Sequence, residues 1–110
     1  AHACGARFVR VNVYVGAAVT DQGIVEGRAR EATLCRRHLN ADVAIWADVF
    51  VKHAAQLGDG GRTLGDAARD AVYRGLADAL IVSGAATGAG TPLESVRDAV
   101  AAVPGTPVLV

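Results

Sequence analysis

Three ionisable residues lie close together in the middle of the chain: Asp48, Lys52 and His53. Where an Asp stands at the mouth of a parallel α/β fold it can act as a general base or hold a metal, and a Lys there can pair with phosphate or form a Schiff base. His53 can move protons near neutral pH. These residues therefore predict a catalytic group. An ion pair between Asp48 and Arg10, with Lys52 and His53 solvated, is the alternative.

No metal site is predicted, because Asp48 and His53 alone make no full ligand set.

Two loops carry residues suited to a ligand. Thr20 and Asp21 can bind a substrate hydroxyl or cap a following helix, and capping is the commoner role. Residues 83–90, SGAATGAG, follow an apolar segment and precede a helical one, a geometry that binds anions through backbone N–H groups. Neither a P-loop lysine nor a GxGxxG pattern accompanies these glycines, and a mobile turn without a ligand is the alternative.

The elements that must position these residues alternate along the chain. Four apolar segments rich in Val and Ile predict parallel strands at Arg7–Tyr14, Asp42–Val51, Asp78–Ser83 and Pro107–Val110. Stretches of helical period lie between them, at about 21–39, 64–74 and 92–103. This order predicts a parallel sheet with right-handed crossovers.

Local signals support these boundaries. Thr91 to Glu94 predicts a capping box at the third helix, and Thr63 with Asp66 predicts a weaker one at the second. Gly75 is a predicted helix stop. A loose repeat precedes three of the strands, at Gly5-Ala6-Arg7, Asn40-Ala41-Asp42 and Leu76-Ala77-Asp78.

The alternation of side chains favours a barrel over a doubly wound sheet. One face of each strand is aliphatic and suits a helix layer, whereas the other becomes polar towards its C-terminal end, as a barrel lumen does. The mixed faces consist of Phe8, Arg10 and Asn12, then Ala44, Trp46 and Asp48, then Ala79, Ile81 and Ser83. We therefore expect an α/β fold, a partial (β/α)8 barrel of about four parallel strands and three helices.

Composition excludes several classes of protein. Eleven basic residues balance eleven acidic ones, which argues against nucleic acid or an anionic membrane surface as a partner. Apolar runs stay below the ~18 residues needed to span a bilayer, so no membrane insertion is expected. Cys4 and Cys35 have no ligand-like spacing and predict buried, reduced thiols in a cytoplasmic protein.

Four segments together resemble the BtpA/SgcQ family: VNVYVGAAVTDQGIVEGRA, ADVAIWADVFVKHAAQLGD, GLADALIVSGAATGAGT and GTPVLV. The family is similar to ribulose-phosphate-binding barrels. The resemblance implies that residues 1–110 are a partial barrel domain, about half of one and truncated at both ends. Cyanobacterial members are tied to photosystem I biogenesis, others occur in non-photosynthetic organisms, and no reaction is firmly established.

Residue by residue, the resemblance covers the catalytic candidates Asp48, Lys52 and His53. The ligand-binding candidates it marks are Asn12, Thr20, Asp21, Gln22, Ser83, Gly84, Thr87 and Gly88. Gly23 also matches, whereas Phe50 stands where a more polar residue is expected.

Two functions follow as expectations. The first is an enzyme, or a relative of one, acting on a small phosphorylated metabolite, with the reaction and cofactor unknown. The second is a non-catalytic assembly factor for a membrane complex. We also expect self-association of residues 1–110, because the edge strands Arg7–Tyr14 and Pro107–Val110 invite pairing and Phe8, Trp46 and Ile81 would face water.

Overall fold

The computed structural model describes residues 1–49, 55–56, 63–83 and 90–110. A short 3-10 turn at His2–Cys4 precedes β1 (Phe8–Val11), β2 (Ala17–Thr20), β3 (Gly23–Glu26), α1 (Ala29–His38), β4 (Ala44–Val49) and β5 (Ala55–Gln56). There follow α2 (Leu64–Arg69), a π-helical turn (Asp70–Arg74), β6 (Ala79–Val82), α3 (Leu93–Ala102) and β7 (Val108–Leu109).

The main sheet has four parallel strands in the order β1-β4-β6-β7. The order of the strands in space follows their order in the chain, so this sheet lacks the reversal that a doubly wound sheet requires. The register is staggered, since Phe8 pairs with Ala44 at the start of β4 whereas Ala79 pairs with Trp46, two residues further on. Such stagger accompanies the tilt of barrel strands. The predicted fold, a partial (β/α)8 barrel, is confirmed.

The hydrophobic core lies between the main sheet and its helices. Ile45, Ala47 and Val49 are buried on this side of β4, together with Leu80 of β6 and Ala68 of α2. The opposite side of the sheet, which we call the inner face, carries Phe8, Arg10, Trp46, Asp48, Ala79 and Ile81. The predicted alternation is therefore correct for all three strands. Ile81, expected to face water, is in fact only 8% exposed.

The loose repeat before three of the strands begins with the same backbone conformation each time. Its first residue is left-handed each time, with φ of 75° at Gly5, 50° at Asn40 and 60° at Leu76. After α1, the N–H of Ala41 donates to the carbonyl of Arg36 at 3.0 Å and that of Asn40 to Arg37 at 3.1 Å. These two bonds form a Schellman motif. The repeat therefore ends a helical turn and directs the chain into the next strand.

The first predicted helix begins too early. Residues 17–26 form an antiparallel hairpin of β2 and β3, in which Val19 pairs with Ile24, and α1 starts only at Ala29. The β-branched residues at 24 and 25 favour a strand, and Gly23, with φ of 103°, supplies the left-handed residue that follows the turn. β5 pairs with β2 on the other side and completes a three-stranded sheet in the order β3-β2-β5.

Only the weaker of the two predicted capping boxes forms. Before α2, the N–H of Asp66 donates to the Thr63 hydroxyl and the N–H of Thr63 to the Asp66 carboxylate, each at 3.1 Å. At α3 the N-cap residue is Pro92, which has no capping side chain. The Thr91 hydroxyl donates instead to the carbonyl of Val82 at 3.4 Å, so it joins the start of α3 to the end of β6.

The prediction of buried thiols is wrong. Cys4 and Cys35 are both free and exposed. Cys4 lies in the short 3-10 turn and Cys35 on the part of α1 that faces away from the core.

Candidate functional site

Arg10 and Asp48 form a two-point ion pair on the inner face. The Nε atom of Arg10 donates to Oδ2 of Asp48 at 3.1 Å, and its Nη2 atom donates to Oδ1 at 3.0 Å. Arg10 pairs in register with Trp46, so its side chain extends two residues towards the C-terminal end of β4 to reach Asp48. The pair that the sequence offered as the alternative to a free catalytic carboxylate is confirmed.

The two partners differ in their access to solvent. The side chain of Asp48 is 3% exposed, whereas that of Arg10 is 54% exposed. Hydrogen bonding to Asp48 and the negative charge of Asp48 raise the pKa of Arg10 above its ordinary value, with slight burial acting in the other direction. The guanidinium therefore stays charged, and the side of the pair that solvent meets is cationic.

Three of the predicted site residues lie at the C-terminal ends of neighbouring strands. Asn12 directly follows β1, Asp48 is the last but one residue of β4, and Ser83 directly follows β6. Ile81, two residues before Ser83, pairs in register with Asp48. This is the end of a parallel α/β sheet at which binding and catalytic residues gather.

A small cavity lies beneath this group. Asn12 and Asp48 line it together with Tyr14, Val49 and Ala71, and its volume is about 30 Å³. That is room for water and far below the several hundred Å³ of a metabolite pocket. A ligand at this end of the sheet would therefore lie above the strands rather than within this cavity.

Other predicted site residues lie elsewhere. Asp21 and Gln22 form the exposed turn between β2 and β3, and Thr20 ends β2. The Thr20 hydroxyl donates to the carbonyl of Gly23 at 3.0 Å and accepts from the N–H of Gln22 at 3.1 Å. The predicted helix-capping role of Thr20 and Asp21 is wrong, because no helix begins there. The predictions for Lys52, His53, Gly84, Thr87 and Gly88, and for the departure at Phe50, fall outside the described residues.

Two aromatic rings lie beside Arg10 on the inner face. Phe8 and Trp46 stack with their centroids 3.8 Å apart and their planes 11° apart. Phe8 is 46% exposed, as the sequence predicts, whereas Trp46 is half-buried.

A groove lies at the opposite, N-terminal end of the strands, and we interpret it as structural rather than catalytic. Arg7, Arg36, Asp42 and Asp78 line it, and its volume is about 430 Å³. Nη1 of Arg36 donates to Oδ2 of Asp78 at 2.7 Å, so its charges are partly neutralised within the protein. In barrels this end contributes to stability rather than catalysis.

Within the described part of the chain, no cluster of three or more His, Cys, Asp or Glu side chains could hold a metal ion. None of the helices described there is both long and apolar enough to cross a membrane. Arg10 is not among the site residues that the sequence predicts, since it appears there only on the mixed face of its strand and as a partner for Asp48. Its position on the same face as Asp48 was the available signal.

Comparisons with known proteins agree with the resemblance seen in the sequence. The model of the BtpA family matches residues 1–110. The photosystem I biogenesis protein BtpA of Synechocystis is 51% identical over 106 residues, which are 96% of this chain and 36% of that protein. An uncharacterized protein of Thermococcus kodakarensis is 52% identical over 88 residues, 80% of this chain and 32% of that protein.

An uncharacterized protein of Pyrococcus furiosus is 49% identical over 94 residues, which are 86% of this chain and 34% of that protein. The chain thus spans about a third of the length of these relatives. No solved structure matches it. The family model covers every residue, and the strands, the inner face and the segments quoted above lie within the matched region. This chain belongs to the BtpA family.

Proposed function

We propose that this segment contributes to an enzyme-like site for a small phosphorylated metabolite, located at the C-terminal ends of its parallel strands. The observation that carries the proposal is the placement of Asn12, Asp48 and Ser83 at the C-terminal ends of three neighbouring strands. An amide, a carboxylate with its arginine, and a hydroxyl can together orient a polar ligand.

The electrostatics of this end of the sheet suit an anion. Asp48 is neutralised by Arg10 and almost fully covered, while the guanidinium remains open to solvent. The predicted contributions of Lys52 and of Gly84 to Gly88 would add to the attraction for phosphate, because a Lys and backbone N–H groups are both phosphate ligands. The acid/base role of Asp48 remains a prediction.

A second candidate is an assembly factor for a membrane complex. It is favoured by one observation: a relative 51% identical to this chain is named a photosystem I biogenesis protein. The relatives in Thermococcus and Pyrococcus carry no such name, and the family resemblance implies members in non-photosynthetic organisms, so a photosystem role cannot hold for the whole family. A scaffold also has no need for polar side chains gathered at one end of its strands. We therefore place the metabolite site first.

The test is a thermal-shift screen of the whole protein against a library of phosphorylated metabolites. Compounds that raise the melting temperature are then measured by calorimetry on Asn12→Ala and Ser83→Ala. Each variant removes a polar group from the C-terminal end of one strand, and we expect the affinity to fall about tenfold. Ser95→Ala, in the first turns of α3, is the matched control and should bind as the wild type does.

Two results would count against a metabolite site. One is a library without any stabilising compound, while subunits of a membrane complex co-purify with the protein; this supports the assembly role. The other is a compound whose affinity is the same in Asn12→Ala, Ser83→Ala and the wild type, which places its site elsewhere.

A further inference from the structure

We infer that Arg10 is the residue of this site that contacts the anionic group of the ligand, and that Asp48 is the positioning residue that holds Arg10 in place. The inference rests on the proposed function and assigns the ligand's phosphate to a particular side chain. It reverses the more obvious assignment, in which the aspartate meets the substrate and the arginine only balances its charge.

Accessibility is the first argument. A group that contacts a ligand must be reachable, and residues of this segment alone already cover the side chain of Asp48, which is 3% exposed, whereas they leave that of Arg10 54% exposed. Both carboxylate oxygens of Asp48 already accept a hydrogen bond from Arg10. A ligand approaching the inner face therefore meets the guanidinium before the carboxylate.

The remaining donors of Arg10 are the second argument. Its Nε and Nη2 atoms each donate to Asp48. Among the described residues Nη1 has no hydrogen-bond partner, and Nη2 carries a second N–H. A planar guanidinium that is held along one edge presents the other edge in a fixed orientation, and two parallel N–H groups match two oxygens of a phosphate.

Direction is the third argument. Arg10 pairs with Trp46 in the sheet but reaches Asp48, two residues nearer the C-terminal end of β4. Its guanidinium is thereby carried towards the end of the sheet where Asn12 and Ser83 lie. An arginine without such a partner would lose rotamer freedom when it bound the ligand. Because the ion pair with Asp48 already restricts the side chain of Arg10, it reduces the entropic cost of contacting the ligand.

The experiment measures binding of inorganic phosphate to the whole protein by calorimetry at low ionic strength. It compares Asp48→Asn with the double variant Asp48→Asn/Arg10→Gln. The two differ only in the guanidinium, and the double variant leaves no buried charge without a partner, so both should fold. Circular dichroism and thermal melting verify this. Arg69→Gln, which removes a similarly exposed arginine from an ion pair on α2, is the control.

We expect Asp48→Asn to bind phosphate within about fivefold of the wild type and the double variant to bind at least tenfold more weakly. Arg69→Gln should bind as the wild type does. A positioning role for Asp48 has its own signature in the NMR signal of the Arg10 Nε–H group. Phosphate should shift this signal in the wild type, and it should broaden in Asp48→Asn, where the guanidinium is less firmly held.

Three results would overturn the inference: equal phosphate affinity in the two Asp48 variants, complete loss of binding in Asp48→Asn alone, or no binding by the wild type. Failure of this inference is distinguishable from failure of the proposed function. If a metabolite binds, is lost in Asn12→Ala and is unaffected by the double variant, the metabolite site stands and the assignment to Arg10 is wrong.

Discussion

The hydroxyl of Tyr14 donates a hydrogen bond to the backbone carbonyl of Gly75, 61 residues further along the chain. Tyr14 is 2% exposed and lies within the core between the main sheet and the helices. Gly75 ends the π-helical turn, and its N–H donates to the carbonyl of Asp70 at 2.8 Å. Burial is the main cause that raises the pKa of Tyr14 above 10.0, so its hydroxyl keeps its proton and remains a donor.

Tyr14→Phe should therefore destabilise the protein. The ring still fills its place in the core, but the carbonyl of Gly75 is left buried without its donor, a loss of about 1–3 kcal/mol in the free energy of unfolding. Denaturant unfolding of the whole protein measures it. The control is Tyr73→Phe, since Tyr73 is 58% exposed and should tolerate the change within about 0.5 kcal/mol. Equal stability of the two variants would mean that the bond to Gly75 contributes nothing.

Gly75→Ala tests the same contact from the other side. A Cβ atom there would lie 2.7 Å from both the carbonyl oxygen of Ala71 and Cε2 of Tyr14. Neither the backbone nor the buried ring can move freely, so we expect a loss of about 1–3 kcal/mol from overpacking. Gly90→Ala is the matched control, because a Cβ at Gly90 meets no atom of the described residues within 4 Å. An unchanged melting temperature for Gly75→Ala would show that this region can rearrange.

These contacts illustrate what a sequence reveals and what it hides. Gly75 was predicted as a helix stop, and it is one, but the left-handed residue is Leu76 and Gly75 is required by the closeness of Tyr14. Periodicity was misleading between residues 21 and 28. Val25 fits the apolar stripe of a helix equally well, yet it pairs with Ala18 across the hairpin. A short apolar segment does not separate the two structures without its partner strand.

The candidate site was predictable in its placement. Alternation puts Arg10 and Asp48 on one face, and because parallel strands end at a common edge, Asn12 and Ser83 are expected at the same edge of the sheet. The exposure of each partner in the ion pair was not predictable. It depends on which side chains cover the carboxylate, and no local pattern encodes that. The partner that solvent reaches is Arg10 rather than Asp48.

Asp78 joins three elements at the N-terminal end of the sheet, and Asp78→Ala should loosen all three. Asp78 lies just before β6. Its Oδ2 atom accepts from Nη1 of Arg36 on α1 at 2.7 Å and from the N–H of Ile45 on β4 at 2.8 Å. Removing the carboxylate leaves the Ile45 N–H without this acceptor, so we expect a loss of about 1–3 kcal/mol in unfolding free energy.

Asp78→Asn provides the comparison, because its amide oxygen can still accept from Ile45 but lacks the charge that strengthens the bond to Arg36. It should lose less stability than Asp78→Ala. Asp98→Ala, at an exposed position of α3, controls for the removal of a carboxylate and should stay within about 0.5 kcal/mol of the wild type. Identical unfolding curves for Asp78→Ala and Asp98→Ala would rule out the bridging role.

The last prediction concerns acid pH and the capping box of α2. The N–H of Thr63 is the main cause that lowers the pKa of Asp66 from 3.8 to about 2, and hydrogen bonds from Arg69 and the Thr63 hydroxyl add to it. The folded protein thus binds this proton less readily than the unfolded chain does. The stabilisation from the carboxylate is complete above about pH 4 and is lost as the pH falls towards 2.

A carbon-detected NMR titration of Asp66 should give a midpoint near 2. Arg69→Gln should raise that pKa, because it removes one of the donors, whereas Arg97→Gln on α3 should leave it unchanged. A midpoint near 3.8 in the wild type would show that the carboxylate of Asp66 does not cap the helix in solution.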